Sequence, residues 1–204
     1  MPSIRVNFNG IKPKFTRPEL LQHPSIPKYL AGVNPRSIMG REWWDDHRRV
    51  VYEENNYHCF ACGISAAEAP VHRWLEAHEC YTYLWKEKVL KYKETVALCY
   101  RCHNFIHSGR LYNVYLNAGV AGEELDMVLL HGFKVLHIAG LEPGQKAVQV
   151  AKSYRGASAR YLATHNMKAE SSTVWYVVKL LDRGWVLSFQ GKRYNMLGKE
   201  IVDE

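Results

Sequence analysis

Cys59-Phe60-Ala61-Cys62 and Cys99-Tyr100-Arg101-Cys102 form two C-x2-C knuckles, with His78 between them and His103 and His107 just after. A gap of two residues lets both sulfurs of a knuckle turn toward one ion, and two knuckles supply the four thiolates of a tetrahedral structural Zn2+. Four of the five cysteines are used in this way. The fifth, Cys80, reads as a small buried residue rather than a nucleophile. His103 and His107 stand four apart where the pattern turns helical, so their rings share a helix face about 6 Å apart along the axis. That geometry suits chelation of a second ion. His78 lies in residues 71–81, a run rich in β-branched and aromatic side chains that reads as a strand, with 94–98 as its antiparallel partner. Alternation puts Glu76 on the face of His78, and Glu79 on the face of Ala77.

The order knuckle, strand with a His, second strand, knuckle, helix with two His resembles the HNH, or ββα-metal, nuclease superfamily in its four-cysteine zinc branch. The residues that carry the resemblance are Cys59, Cys62, the Leu75-Glu76-Ala77-His78-Glu79 run, Leu98-Cys99, Cys102-His103 and His107-Ser108-Gly109. The chain also looks like small phage and prophage proteins sharing the Trp-Leu-Glu-Ala-His-Glu and Cys-His-Asn-Phe-Ile-His-Ser-Gly-Arg-Leu phrases. The resemblance implies a zinc-stabilised, treble-clef-like ββα-metal core and a one-metal phosphodiesterase acting on DNA. It makes His78 the base that takes a proton from water, and His103 and His107 ligands of a catalytic Mg2+, Mn2+ or other divalent ion. A rival register makes His78 the ligand and Glu79 the base. The family's usual metal ligand before the base is replaced by Ala77, and Glu94 or Thr95 stands where its central Asn is expected. The alternative reading is therefore a non-catalytic, zinc-scaffolded protein that binds DNA or a host protein.

The elements that position these groups are legible around them. Residues 1–36 hold six of the eight prolines and read as an extended arm with a short turn near 19–22. Lys12, Lys14, Arg17 and Lys28 on that arm can follow a phosphate backbone, or the arm wraps its own domain. Residues 37–55 form a helix with Trp43, His47, Val50 and Val51 on one side, leading into the first knuckle. The insert carries Lys86, Lys88, Lys91 and Lys93 interleaved with Tyr81, Tyr83, Trp85 and Tyr92, and with Arg110 these are the candidate nucleic-acid contacts. Residues 123–138 read as a helix, apolar at Leu125, Val128, Leu129, Phe133 and Leu136, with His131 and His137 structural. After Pro143-Gly144, a basic helical or irregular linker covers 145–164. Residues 172–181 and 185–190 then read as paired strands, with a third over 192–197. The fold class is α+β, in three parts: the arm 1–36, a zinc-bound domain 37–141 with flanking helices, and a small β-rich unit 142–204.

The net charge of +7 and pI near 9.1 suit a nucleic-acid partner, because cations that neutralise phosphates release counterions. The flanks carry the excess: residues 145–204 hold ten Lys and Arg against five acids, whereas 59–144 hold eight against nine. No apolar run approaches the roughly 20 residues of a membrane span, and the N-terminus lacks an apolar signal core. Metal-type cysteine spacing with one spare thiol fits a reducing compartment, so the expectation is a cytoplasmic protein of a bacterium or phage-infected host.

Overall fold

A computed structural model describes residues 10–118, 122–170 and 181–202 as an α+β arrangement of seven α-helices and one four-stranded sheet. No described helix is long and apolar enough to cross a membrane.

The N-terminal arm wraps its own chain. Arg17 donates two hydrogen bonds to Glu94, at 2.8 and 2.7 Å, so its guanidinium is engaged within the fold rather than free to follow a phosphate backbone. The wholly buried Asn55 accepts from the amides of Lys14 and Phe15 and donates to the carbonyls of Phe15 and His58. One side chain thus pins the arm to the segment entering the first knuckle. The turn near 19–22 is a short 3-10 helix at Pro18–Gln22.

The single helix expected over 37–55 is two. Helix α1 (Pro35–Met39) starts on Asn34, which exchanges capping bonds with Ser37, and it stops at Gly40. Gly40 takes φ +87°, a conformation glycine adopts without steric cost, and the chain restarts as α2 (Arg41–Glu54). The buried side of α2 is Trp44 and Val51, while Val50 is 66% exposed, so the expected apolar side is displaced.

Strand β1 (Glu76–Leu84) begins later than the β-propensity suggests, because Val71 turns into positive φ and 71–75 is irregular. It pairs antiparallel with β2 (Val89–Leu98), placing His78 opposite Val96 and Glu76 opposite Leu98. Helix α3 (Tyr100–Ile106) starts inside the second knuckle, and α4 (Ser108–Ala118) follows with His107 at the junction. Helix α5 (Glu123–Ile138) spans the residues that its apolar spacing indicates. Its Gly132 breaks no helix. A Cβ there would meet the Phe105 ring at 2.1 Å, so the glycine is what lets α3 and α5 approach.

Residues 145–164 are two helices, α6 (Gln145–Tyr154) and α7 (Ala157–Thr164). Their Val148, Val150, Ala151 and Leu162 join the core that holds the knuckles, Phe105 and Phe133. Strand β3 (Val186–Phe189) pairs parallel to β2, and β4 (Lys192–Tyr194) closes the sheet in the order β1-β2-β3-β4. Trp185, Leu187 and Phe189 pack with Leu30, Tyr81 and Leu90 in a second cluster. Each such buried side chain contributes roughly 1.5–3 kcal/mol. Of the strand expected over 172–181, residues 172–180 lie outside the described residues and Leu181 is in a turn.

Candidate metal centres

The four knuckle thiols come together, each sulfur within 4.8 Å of the others, with Cys59, Cys99 and Cys102 wholly buried. Local geometry builds the knuckle. Gly63 takes φ +76° and returns its amide to the Cys59 carbonyl, while the Phe60 amide donates to Ala97 and ties the turn to β2. Cys62 and Cys99 sulfurs stand 3.9 Å apart. A tetrahedral ion with Zn–S bonds of about 2.3 Å spaces its ligands about 3.8 Å apart.

The electrostatics suit a cation. Hydrogen bonds from Cys102, Cys59 and Cys62 pull the Cys99 thiol well below the ordinary range, and hydrogen bonding to the same cluster, then burial, pushes Cys102 well above it. A divalent ion among the sulfurs would allow all four to ionise. The donor set, burial and spacing fit Zn2+. Nε2 of His131, on α5, lies 3.3 Å from the Cys102 sulfur, where it can donate to a thiolate. Cys80 stands apart, its thiol pushed up to about 12 by burial, which suits an inert residue.

The second centre is made of imidazoles. His78 from β1 meets His103 and His107 from α3 and its end, with one ring nitrogen from each within 4.8 Å of the others. His107 Nε2 is 3.3 Å from His78 Nδ1. Two nitrogens bound to one tetrahedral ion at about 2.05 Å stand about 3.3 Å apart, so this hydrogen-bonded pair is also spaced to share an ion. Nδ1 of His103 donates to the Glu76 carboxylate, leaving Nε2 of that ring as its lone-pair nitrogen. A carboxylate behind an imidazole is the usual outer support of a metal-bound histidine.

Burial, then the neighbouring imidazoles, holds His78 well below the usual histidine range. Burial first, with His103 and Arg110, brings His107 down to about 4. Both rings are neutral at pH 7, the state that binds metal. His78 Nε2 is buried without a hydrogen-bond partner among the described residues, and the ring of His23 stands at 90° to it, 5.5 Å away.

The imidazoles open into a cleft of about 480 Å³. Arg36 from α1, Arg48 from α2 and Arg110 from α4 line it together with Glu76, Ala77 and Glu79. Burial raises the Glu79 carboxyl above its ordinary value. Arg48 also holds Asp45 at 3.0 Å.

Of the residues singled out by sequence, the four cysteines converge, the three histidines converge, Glu76 supports His103, and Glu79 and Arg110 line the cleft. Lys86, Lys88, Lys91 and Lys93 lie along the hairpin and do not line it. Lys88 instead reaches Asp182 at 3.4 Å, and Lys93 reaches Glu94 at 3.5 Å. Sequence reasoning missed His23, Arg36 and Arg48. None carries a local spacing signal, because each reaches the site only through tertiary folding.

Comparison with family models, curated proteins and solved structures gives no match for this chain.

Proposed function

We propose that this chain is a metal-dependent endonuclease of the ββα-metal type, hydrolysing DNA phosphodiester bonds on a scaffold stapled by a four-cysteine Zn2+. The observation that carries the reading is the convergence of three imidazoles on one point at the floor of an arginine-lined cleft. Structural histidines bond to carbonyls or hydroxyls, whereas these rings present nitrogens to one another at ligand spacing.

His78, His103 and His107 hold the divalent ion, and imidazole donors favour Mn2+ and later transition metals over Mg2+. Bound there, the ion supplies Lewis-acid polarisation of a phosphoryl oxygen. The 3.3 Å spacing favours the register in which His78 is a ligand, and that leaves Glu79 as the base. Its raised pKa makes it a stronger proton acceptor when ionised. Glu79 takes a proton from water, the water oxygen bonds to phosphorus as the P–O ester bond breaks, and the ester oxygen leaves with the bonding pair and takes up a proton from solvent to give a free hydroxyl. Arg36, Arg48 and Arg110 hold the non-bridging oxygens of the phosphate and its neighbours. DNA is the substrate that the basic flanks and this arginine lining favour.

Ala77 favours the second reading, a DNA-binding protein without chemistry, since it withholds a ligand the resembling enzymes use. Incubating the zinc-loaded protein with supercoiled plasmid and single-stranded circular DNA, in Mn2+ or EDTA, separates the two. Cleavage in Mn2+, absent in EDTA and in His107→Ala, and reduced about 100-fold or more in Glu79→Gln, supports the enzyme. No cleavage with any divalent ion, or equal cleavage by wild type and His107→Ala, overturns it.

A further inference from the structure

His23 lines a second cavity and stands beside the histidine centre. Its ring stands 5.5 Å from His78 and 5.8 Å from Tyr83, and it lines a second cavity of about 390 Å³. Ile106 and Ser108, the neighbours of the ligand His107, line that cavity too, so one turn of chain serves both the histidine centre and the cavity. One side of the lining is aromatic. Tyr83 and Trp85 stack at 5.0 Å and 17°, Tyr83 is fixed by a 2.9 Å hydrogen bond to the Pro24 carbonyl, and Trp85 packs edge-on against Trp185 at 5.5 Å. Phe105 borders the cavity from the core side, and Gln22, Ser108, Lys146 and Glu170 are polar groups of the lining.

We propose that this cavity receives one unstacked nucleobase of the DNA strand whose phosphate lies in the histidine cleft. The proposal rests on reading that cleft as a phosphodiesterase site. An aromatic side suits a heteroaromatic ring, a few polar groups suit its edge, and the turn carrying Ile106 and Ser108 borders the cavity while its His107 lines the cleft, so the two adjoin. Taking a base out of a duplex costs unpairing and unstacking, a cost that is small for a single-stranded or extrahelical nucleotide. The enzyme therefore prefers single-stranded, bulged or mismatched DNA at the point of cleavage.

Calorimetric titration of zinc-loaded protein, without a second metal, with deoxyadenosine 5′-monophosphate and with 2-deoxyribose 5-phosphate tests the cavity directly. The mononucleotide is expected to bind at least about tenfold tighter than the base-free sugar phosphate. That preference should fall to about twofold or less in Trp85→Ala, and shrink in Lys146→Glu, a change at an exposed position that leaves the core intact. Equal binding of the two probes, or a preference unchanged in both variants, overturns the proposal. Because the readout needs no cleavage, DNA hydrolysis without base preference defeats the cavity alone, and base preference without hydrolysis defeats the nuclease reading alone.

Discussion

Glu76 on β1 accepts a hydrogen bond from Nδ1 of His103 on α3, and by fixing that proton it leaves the other ring nitrogen its lone pair. Glu76→Gln keeps the size of the side chain and removes its charge. The expected outcome is about 10- to 100-fold weaker Mn2+ binding at the histidine centre, with one zinc per chain retained. Titration followed by metal analysis checks it, and unchanged Mn2+ affinity would contradict the supporting role.

The pH dependence of ion binding follows from the depressed histidines. A ligand with an ordinary pKa near 6.5 loses roughly tenfold in affinity between about pH 7.5 and about pH 5.5, so three such ligands lose about a thousandfold. His107, at about 4, and His78, lower than usual, carry no proton to displace over that range. Mn2+ affinity should then fall far less than a thousandfold over that range. The larger loss belongs below the window, as pH falls through about 4 and His107 protonates. Calorimetry at several pH values distinguishes the two curves.

A zinc ion held by the four cysteines would tie the two knuckles together within the core. A structural zinc contributes an apparent 10–16 kcal/mol, comparable with the whole stability of a domain at about 5–15 kcal/mol. Cys102→Ser, or prolonged chelation, is therefore expected to abolish the cooperative thermal transition rather than shift it. Circular dichroism melting provides the check, and a melt within a few degrees of wild type would show that the thiols are ordinary core.

The arginines and the hairpin lysines should separate in kinetics. Arg36 and Arg110 line the cleft, so the double alanine variant loses phosphate positioning and turnover together, and its DNA-binding salt slope falls by about two. Lys86→Ala with Lys91→Ala removes only contacts beyond the cleft. It should raise KM and leave kcat within about twofold. The reverse pattern would place the reacting phosphate on the hairpin.

Local spacing made part of this legible. The knuckles and the pair His103 and His107 declare themselves because ligands two or four residues apart are close whatever the rest of the chain does. The helix over 123–138 was readable from its apolar period for the same reason. The division at Gly40 was not, since a helical pattern continues through it and the break lies in a backbone angle. The late start of β1 was hidden by β-branched Val71, whose left-handed conformation contradicts its propensity. Convergence was the least legible feature. Arg36, Arg48 and His23 come from segments before the first knuckle, and nothing local marks them as neighbours of His78. Whether His78 is ligand or base also depends on a distance, 3.3 Å to His107, that no pattern encodes.

The account turns on a second ion site separate from the sulfurs, and anomalous scattering from crystals of the zinc-loaded protein soaked in Mn2+ tests it most directly. The expected map has a zinc peak among Cys59, Cys62, Cys99 and Cys102, and a manganese peak within about 2.3 Å of one nitrogen each of His78, His103 and His107. A single peak at the sulfurs, with the three imidazoles bonded only to one another or to water at saturating Mn2+, would contradict it.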